Sequence, residues 1–416
     1  MRLVNAPILA VAAAVMAFCS DAAEANSYYG QVLALQGQYG EVNSVAISGD
    51  LAVVGAPYNS ASPTGDGAAA IYVRQTSSCT PPYCTWSLAQ TITPSDSPGT
   101  ASGAQFGLSV AISGTSIIVG APTAASGSVD SGAVYVFTKS GSSWTQTAKL
   151  VPGDASSGEQ FGWSVAATGT NILVGATSAT GPNGAQGAAY LFGTGTGFPQ
   201  VTKMLSPTGN AGDLLGFSVA LSSDTALVGG PYTEVGGTAE SGAVEVFTKC
   251  FLTCTIGTPW PHTQQLSLAS PHPGEVLGWS VAIDGTNAVI GSPTQSSRGE
   301  AGAAYIFSKS AGSWSQVQRL LASDGGPDDL FGYAVGISGS LVAVSGLGDG
   351  PSGLGGAYTF VNSGGTWTSE EEFDDGATHW DLYGSGLALS GGSLVVSGPS
   401  AGPAPVGEVF FYTRFP

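Results

Sequence analysis

One motif recurs along the chain at intervals of 52 to 65 residues, and this repetition constrains the fold more than any other feature. It reads Phe106-Gly107-Leu108-Ser109-Val110-Ala111 and again Phe161-Gly162-Trp163-Ser164-Val165-Ala166. Looser copies stand at Leu215-Gly216-Phe217-Ser218, Leu277-Gly278-Trp279-Ser280, Phe331-Gly332-Tyr333-Ala334 and Tyr383-Gly384-Ser385-Gly386. The first copy keeps only Ser44-Val45-Ala46. Anchored on the serine, the seven positions are 44, 109, 164, 218, 280, 334 and 386. Self-similarity at such a period marks an array of supersecondary units.

Each unit carries four strand-like segments, well shown by the second. Segment a is Phe106 to Ser113, b is Ile117 to Ala121, c is Gly132 to Thr138 and d is Trp144 to Leu150. Tight turns with Gly49, Gly114, Gly169, Gly285 and Gly339 join a to b, as two-residue hairpins require. Segment b is apolar throughout, so both faces of a four-stranded meander need covering by neighbouring units. Such meanders stacked face to face close into a propeller. The predicted fold is all-β: a seven-bladed β-propeller of four-stranded antiparallel blades. The last unit ends near Tyr412 without a segment d, leaving residues 413–416 as a stub. Tyr28 to Leu35 resembles Trp144 to Leu150 and is expected to supply the missing outer strand, closing the ring.

Composition agrees with this fold. Glycine is 63 of 416 residues and charged residues are 9%, against a usual share of about 25%. The net charge of −18, with 10 basic residues, excludes a duplex-binding surface built on clustered Lys and Arg. Arg2, the apolar run Pro7 to Phe18 and Ala23-Glu24-Ala25 read as a signal peptide over residues 1–25. Residues 26–416 then form one exported propeller domain. Lipidation at Cys19 is the alternative, opposed by Phe18 where a small residue is wanted. No other run reaches the ~18 apolar residues of a membrane span.

Four cysteines remain, as the pairs Cys79/Cys84 and Cys250/Cys254. An even count behind a signal peptide implies disulfides, and three pairings are open. The two local ones are favoured, because each brackets an enlarged c–d loop in units one and four, the two units with the longest intervals. Zinc is the weaker reading, since no histidine or third cysteine lies beside either pair.

A second element follows each first one: Val54-Gly55-Ala56-Pro57, Val119-Gly120-Ala121-Pro122, Val174-Gly175-Ala176, Val228-Gly229-Gly230-Pro231, Ile290-Gly291-Ser292-Pro293, Val344-Ser345-Gly346 and Val396-Ser397-Gly398-Pro399. Together with Gly-Ala-Val-Tyr-Val-Phe, the pair resembles the FG-GAP repeat family. That family includes the seven-bladed headpiece of integrin α-subunits and many secreted bacterial proteins. The integrin type places D-x-[DN]-x-[DN]-G calcium loops in several a–b turns. Here those turns hold at most one acid each (Asp50, Asp224 and Asp284), so no cofactor and no metal is expected.

In a propeller the b–c and d–a loops share one face, and the a–b and c–d loops share the other. An acid stands just ahead of the aromatic-Gly or Leu-Gly pair in five units: Glu159, Asp213, Glu275, Asp329 and Asp381. Asp66, Asp130, Glu240, Glu300, Asp96, Asp154, Asp324, Asp328, Asp374 and Asp375 join them on the first face. Arg74, Lys139, Lys249 and Lys309 end segment c toward the second. The expectation is an acidic top and a mildly basic bottom, with turn capping as the competing reading of the acids. Trp86, Trp144, Trp260, Trp314 and Trp367 open segment d and read as packing under the outer strand. Trp163 and Trp279 stand near the channel mouth and read as interblade core, with sugar stacking as the alternative. The repeated serines lack a G-x-S-x-G setting, and none of the histidines His262, His272 and His379 recurs between units. These features point to a monomeric, non-enzymatic binding or adhesion-type scaffold for a protein or glycan surface partner. Loops 123–131, 178–186, 232–241 and 294–301 would carry specificity. An extracellular lectin or glycan-active enzyme with its site at the channel mouth is the alternative, because fold alone does not fix function.

Overall fold

The computed structural model describes residues 29–36 (backbone only), 42, 44–58, 65–75, 85–96, 103–250, 259–294, 301–348, 355–373, 382–398 and 407–414. Every regular element among them is a strand, and the strands form seven four-stranded antiparallel sheets. Blade 2 shows the pattern, with Ser109–Ser113, Ser116–Ala121, Ala133–Ser140 and Ser143–Leu150 running from the axis outward. The innermost strands touch in succession, and Gly386–Ser390 of blade 7 touches Ser44–Ser48 of blade 1, so the ring closes.

A central strand is buried on both sides because each side faces a different blade. Tyr135 and Phe137 pack with Val53 and Ile71 of blade 1, whereas Val134 and Val136 pack with Ile172 and Val174 of blade 3. The period-2 alternation of a strand therefore yields a continuous apolar run without violating the rule that side chains alternate. The apolar core is divided among seven clusters, each spanning two adjacent blades. The closing cluster joins Val54, Tyr72 and Trp86 to Val395, Val409 and Phe411.

Tyr29–Gln36 pairs antiparallel with Glu408–Arg414, with Leu35 opposite Val409, and forms the outer strand of blade 7. The expected C-terminal stub is corrected here: Thr413 and Arg414 belong to the strand, facing Gly30 and Tyr29. The innermost strand of blade 2 begins at Ser109 rather than Phe106, because Phe106 leaves the ladder to bridge blade 1. All seven outer strand pairs carry a register shift, as at Val136/Phe137 and Gln31/Leu33. A bulge twists an exposed edge away from foreign strands.

Among the described residues no helix is long and apolar enough to cross a membrane. The signal segment, Cys19, Tyr28, Cys79, Cys84, Cys254, Glu300, Asp374, Asp375, His379 and Asp381 lie outside the described residues, as does most of loop 294–301.

Candidate functional site

The top-face junctions are built from a local backbone device. The residue before each aromatic-Gly or Leu-Gly pair is left-handed although none is glycine: Gln105, Gln160, Leu214, Val276, Leu330 and Leu382, with φ between 48° and 59°. This conformation costs an L-residue about 1 kcal/mol or more. It turns the next N–H onto the preceding blade, where Phe106, Phe161, Leu215, Leu277 and Phe331 donate to the carbonyls of Asp66, Ser131, Gln186, Ser241 and Ala301 at 2.7–3.1 Å. A Cβ on Gly132 would strike the Phe161 carbonyl oxygen, so the neighbouring strand entry admits only glycine.

The repeated serines ring the axis as donors. Ser44, Ser109, Ser164, Ser218 and Ser280 each donate Oγ–H to the carbonyl of the next blade's motif glycine at 2.7–2.9 Å. Blade 6 has Ala334 at this position, and the hydroxyl comes instead from Ser345 on the adjacent strand, 2.7 Å from the Gly384 oxygen. These serines hydrogen-bond one blade to the next.

Three of the expected binding acids are buried. Glu159 is 3% exposed, Asp213 5% and Glu275 0%. Asp213 accepts from the Asn210 N–H at 2.8 Å, Glu275 from the His272 N–H at 2.8 Å, and Asp329 from the Gly326 N–H. The Ser156 N–H bonds Glu159 in the same way, so one carboxylate-to-i−3 cap serves four loops. Burial pushes the Glu159 and Asp213 carboxyls above the usual carboxylate range, and Glu245 and Glu234 add to the rise at Asp213. Asp329 is half-buried, while Asp130, Asp154, Glu234, Glu240 and Asp328 are exposed in loops of the same face.

Trp163, Phe217, Trp279 and Tyr333 follow the motif glycine in four consecutive blades and form one tilted arc. Their ring centroids lie 5.6, 4.6 and 5.6 Å apart, and all four are partly exposed. Burial raises the Tyr333 phenol. The expected interblade packing of Trp163 and Trp279 is therefore partial. By contrast Trp86, Trp144, Trp260, Trp314 and Trp367 are buried under the outer strands. Gln90, Gln264 and Gln318 each clamp the backbone of the next blade's tryptophan (Trp144, Trp314 and Trp367) with two hydrogen bonds of 2.6–2.9 Å. The basic residues ending strand c cover these rings, with Arg74 5.0 Å from Trp86, Lys139 4.6 Å from Trp144 and Lys309 6.0 Å from Trp314. Arg74 also pairs with Asp50 and Lys309 with Asp224. Two of the charges expected to make the bottom basic are thus locally neutralised.

The model of the FG-GAP repeat matches residues 86–137, 144–192, 198–247, 260–307 and 314–360, more than half of the chain. The chain belongs to the FG-GAP repeat family. Each matched FG-GAP segment opens on an aromatic in or just ahead of an outer strand (Trp86, Trp144, Phe198, Trp260 or Trp314) and ends on a phenylalanine in the third strand of the next blade. The FG-GAP unit is thus the seam between blades, with the left-handed residue and the serine donor at its centre. No curated protein matches the chain.

One FG-GAP seam departs from the others, and sequence reasoning passed over it. Third strands read Val-Tyr-Val-Phe at 134–137, but blade 4 reads Val244-Glu245-Val246-Phe247. Glu245 is 2% exposed, and its carboxylate accepts from Ser206 Oγ at 2.7 Å and Gln265 Nε2 at 2.8 Å. His262 Nε2 lies 2.6 Å from its other oxygen. The signal was the single glutamate in an otherwise apolar segment c. Among the described residues no group of three or more His, Cys, Asp or Glu side chains is placed to hold a metal.

Proposed function

We propose that this FG-GAP propeller is an exported, non-enzymatic scaffold that binds a protein or glycan surface through the face carrying its b–c and d–a loops. The carrying observation is a division of labour among the acids. Glu159, Asp213 and Glu275 are consumed by loop capping, while Asp130, Glu234, Glu240 and Asp328 stay exposed at loop positions of that face. The partly exposed arc from Trp163 to Tyr333, which follows the motif glycines, adds an apolar contact. Rigid seams beneath mobile specificity are how loop-bearing scaffolds commonly bind. Of the acids expected to bind, Glu159, Asp213, Glu275 and Asp329 then act by shaping loops, and the exposed carboxylates and aromatics make contact.

Capture of a partner from the native extracellular medium by the mature chain, beside a glycan array, tests this reading. Replacing Asp130, Glu234, Glu240 and Asp328 by their amides should weaken capture, whereas Asp213→Asn should not. Capture insensitive to all four amides and to Trp279→Ala would overturn it. Array signal without protein capture would favour the lectin reading.

A further inference from the structure

The opposite face holds a cleft of about 240 Å³ between blades 1 and 2. Leu51 and Val73 supply aliphatic lining, Trp144 an aromatic wall, Lys139, Ser48 and Thr115 polar groups, and Asp50 a carboxylate. The comparable place between blades 4 and 5 is spanned by an ion pair. There Lys309 Nζ lies 3.7 Å from Asp224 Oδ2 and 3.1 Å from Thr225 Oγ1. Between blades 1 and 2 the acid is diverted. Asp50 pairs with Arg74 of its own blade at 3.3 Å, and Arg74 is itself held by the Gly49 carbonyl and Ser393 Oγ. Among the described residues Lys139 is left with only the Trp144 ring, 4.6 Å below its ammonium. Trp144 is 3% exposed, and its indole N–H has no acceptor among the described residues. Arg74, outside the lining, neutralises Asp50, so Lys139 is the one unpaired charge among the described residues that line the cleft.

We infer that this cleft binds a small monocarboxylate with a compact apolar body. Lys139 receives the carboxylate, Ser48 and Thr115 offer hydroxyls, and Leu51, Val73 and Trp144 cover the body. The cleft lies below the size of drug-like pockets, roughly 300–1,000 Å³, which limits the ligand to a single ring or short branched chain. An uncharged isostere forfeits the charge-assisted bond.

Phenylacetate and phenylacetamide serve as probes, titrated into the mature chain while its tryptophan indole N–H resonances are followed by NMR. Trp144→Phe identifies the Trp144 signal. Phenylacetate is expected to shift that signal saturably. The amide and the Lys139→Met variant are each expected to bind about tenfold more weakly, the cost of losing one charged hydrogen bond. Lys139→Arg should retain most of the affinity. If Lys139→Met unfolds, the acid-to-amide ratio on the native chain decides alone. The inference fails if phenylacetate gives no saturable shift of the Trp144 signal, if acid and amide bind alike, or if a folded Lys139→Met variant binds as the native chain does.

Discussion

Blades 2 and 4 meet their preceding neighbours with the same backbone and different chemistry. In blade 2, Tyr135 donates its phenol to Asp96 of the preceding loop at 3.0 Å, and Lys149 pairs with the same aspartate at 2.6 Å while lying 5.4 Å over the Tyr135 ring. Blade 3 repeats the lysine's part of this, with Lys203 2.7 Å from Asp154 and 5.2 Å over the Tyr190 ring. In blade 4 the carboxylate moves from the loop onto the strand as Glu245, the lysine position holds Gln265, and Ser206 and His262 complete the shell. What recurs is therefore an interaction, an anion satisfied at the seam, rather than a residue. The axis teaches the same lesson, with Ala334 in the serine's place and the hydroxyl supplied by Ser345 where other blades have glycine. The two seams differ in cost. Asp96 is partly exposed and loses little solvation, whereas Glu245 is buried and depends wholly on its donors.

The largest test of this contrast removes the strand carboxylate. Glu245→Ala should cost about 3–5 kcal/mol in chemical denaturation, because Ser206, Gln265 and His262 lose their shared acceptor in a buried site. A loss below that of Tyr135→Phe would break the comparison. Tyr135→Phe removes one hydrogen bond to a partly exposed acid and should cost about 1 kcal/mol by the same assay.

A smaller effect concerns pH, where the two regions have opposite signs. Burial raises the Asp213 carboxyl, so the native chain holds its proton more tightly than the unfolded one. Its contribution is complete below the ordinary aspartate value of about 3.9 and is lost as pH rises through the raised value. Asp154 is the reverse. Its burial works upward, but the hydrogen bond and charge of Lys203 outweigh it and lower the carboxyl. That stability is present above about pH 3.9 and is lost as pH falls through the lowered value. Melting temperatures from pH 3 to pH 7 should therefore decline less with rising pH in Asp213→Asn and recover less in Asp154→Asn. Parallel curves for the two variants would refute the assignment. The smallest effect is Lys149→Met, below about 1 kcal/mol, since its ion pair with Asp96 faces solvent and is screened.

Much of this was legible from the chain. Glycine spacing and the apolar segment b announced blades, and the missing last segment with its match near Tyr29 announced the closure. The buried tryptophans were readable because they recur at one register. The acids were harder. Glu159 and Asp130 look alike in a loop, yet one is buried beneath a cap and the other is exposed. The left-handed conformation at Val276 had no signal at all, since a β-branched residue argues against it. Glu245 was visible but unweighted, because an isolated acid in a strand says nothing until its donors are known.

Periodicity and glycine placement alone settled architecture, blade number and ring closure, since these depend on local backbone preferences repeated seven times. Which carboxylates are buried, which hydroxyls link neighbouring blades and where a cleft stays open were decided only by packing. Those properties arise between residues as far as 39 and 85 positions apart, such as Ser206 with Glu245 and Asp224 with Lys309, and no local pattern encodes the distance at which two such groups meet.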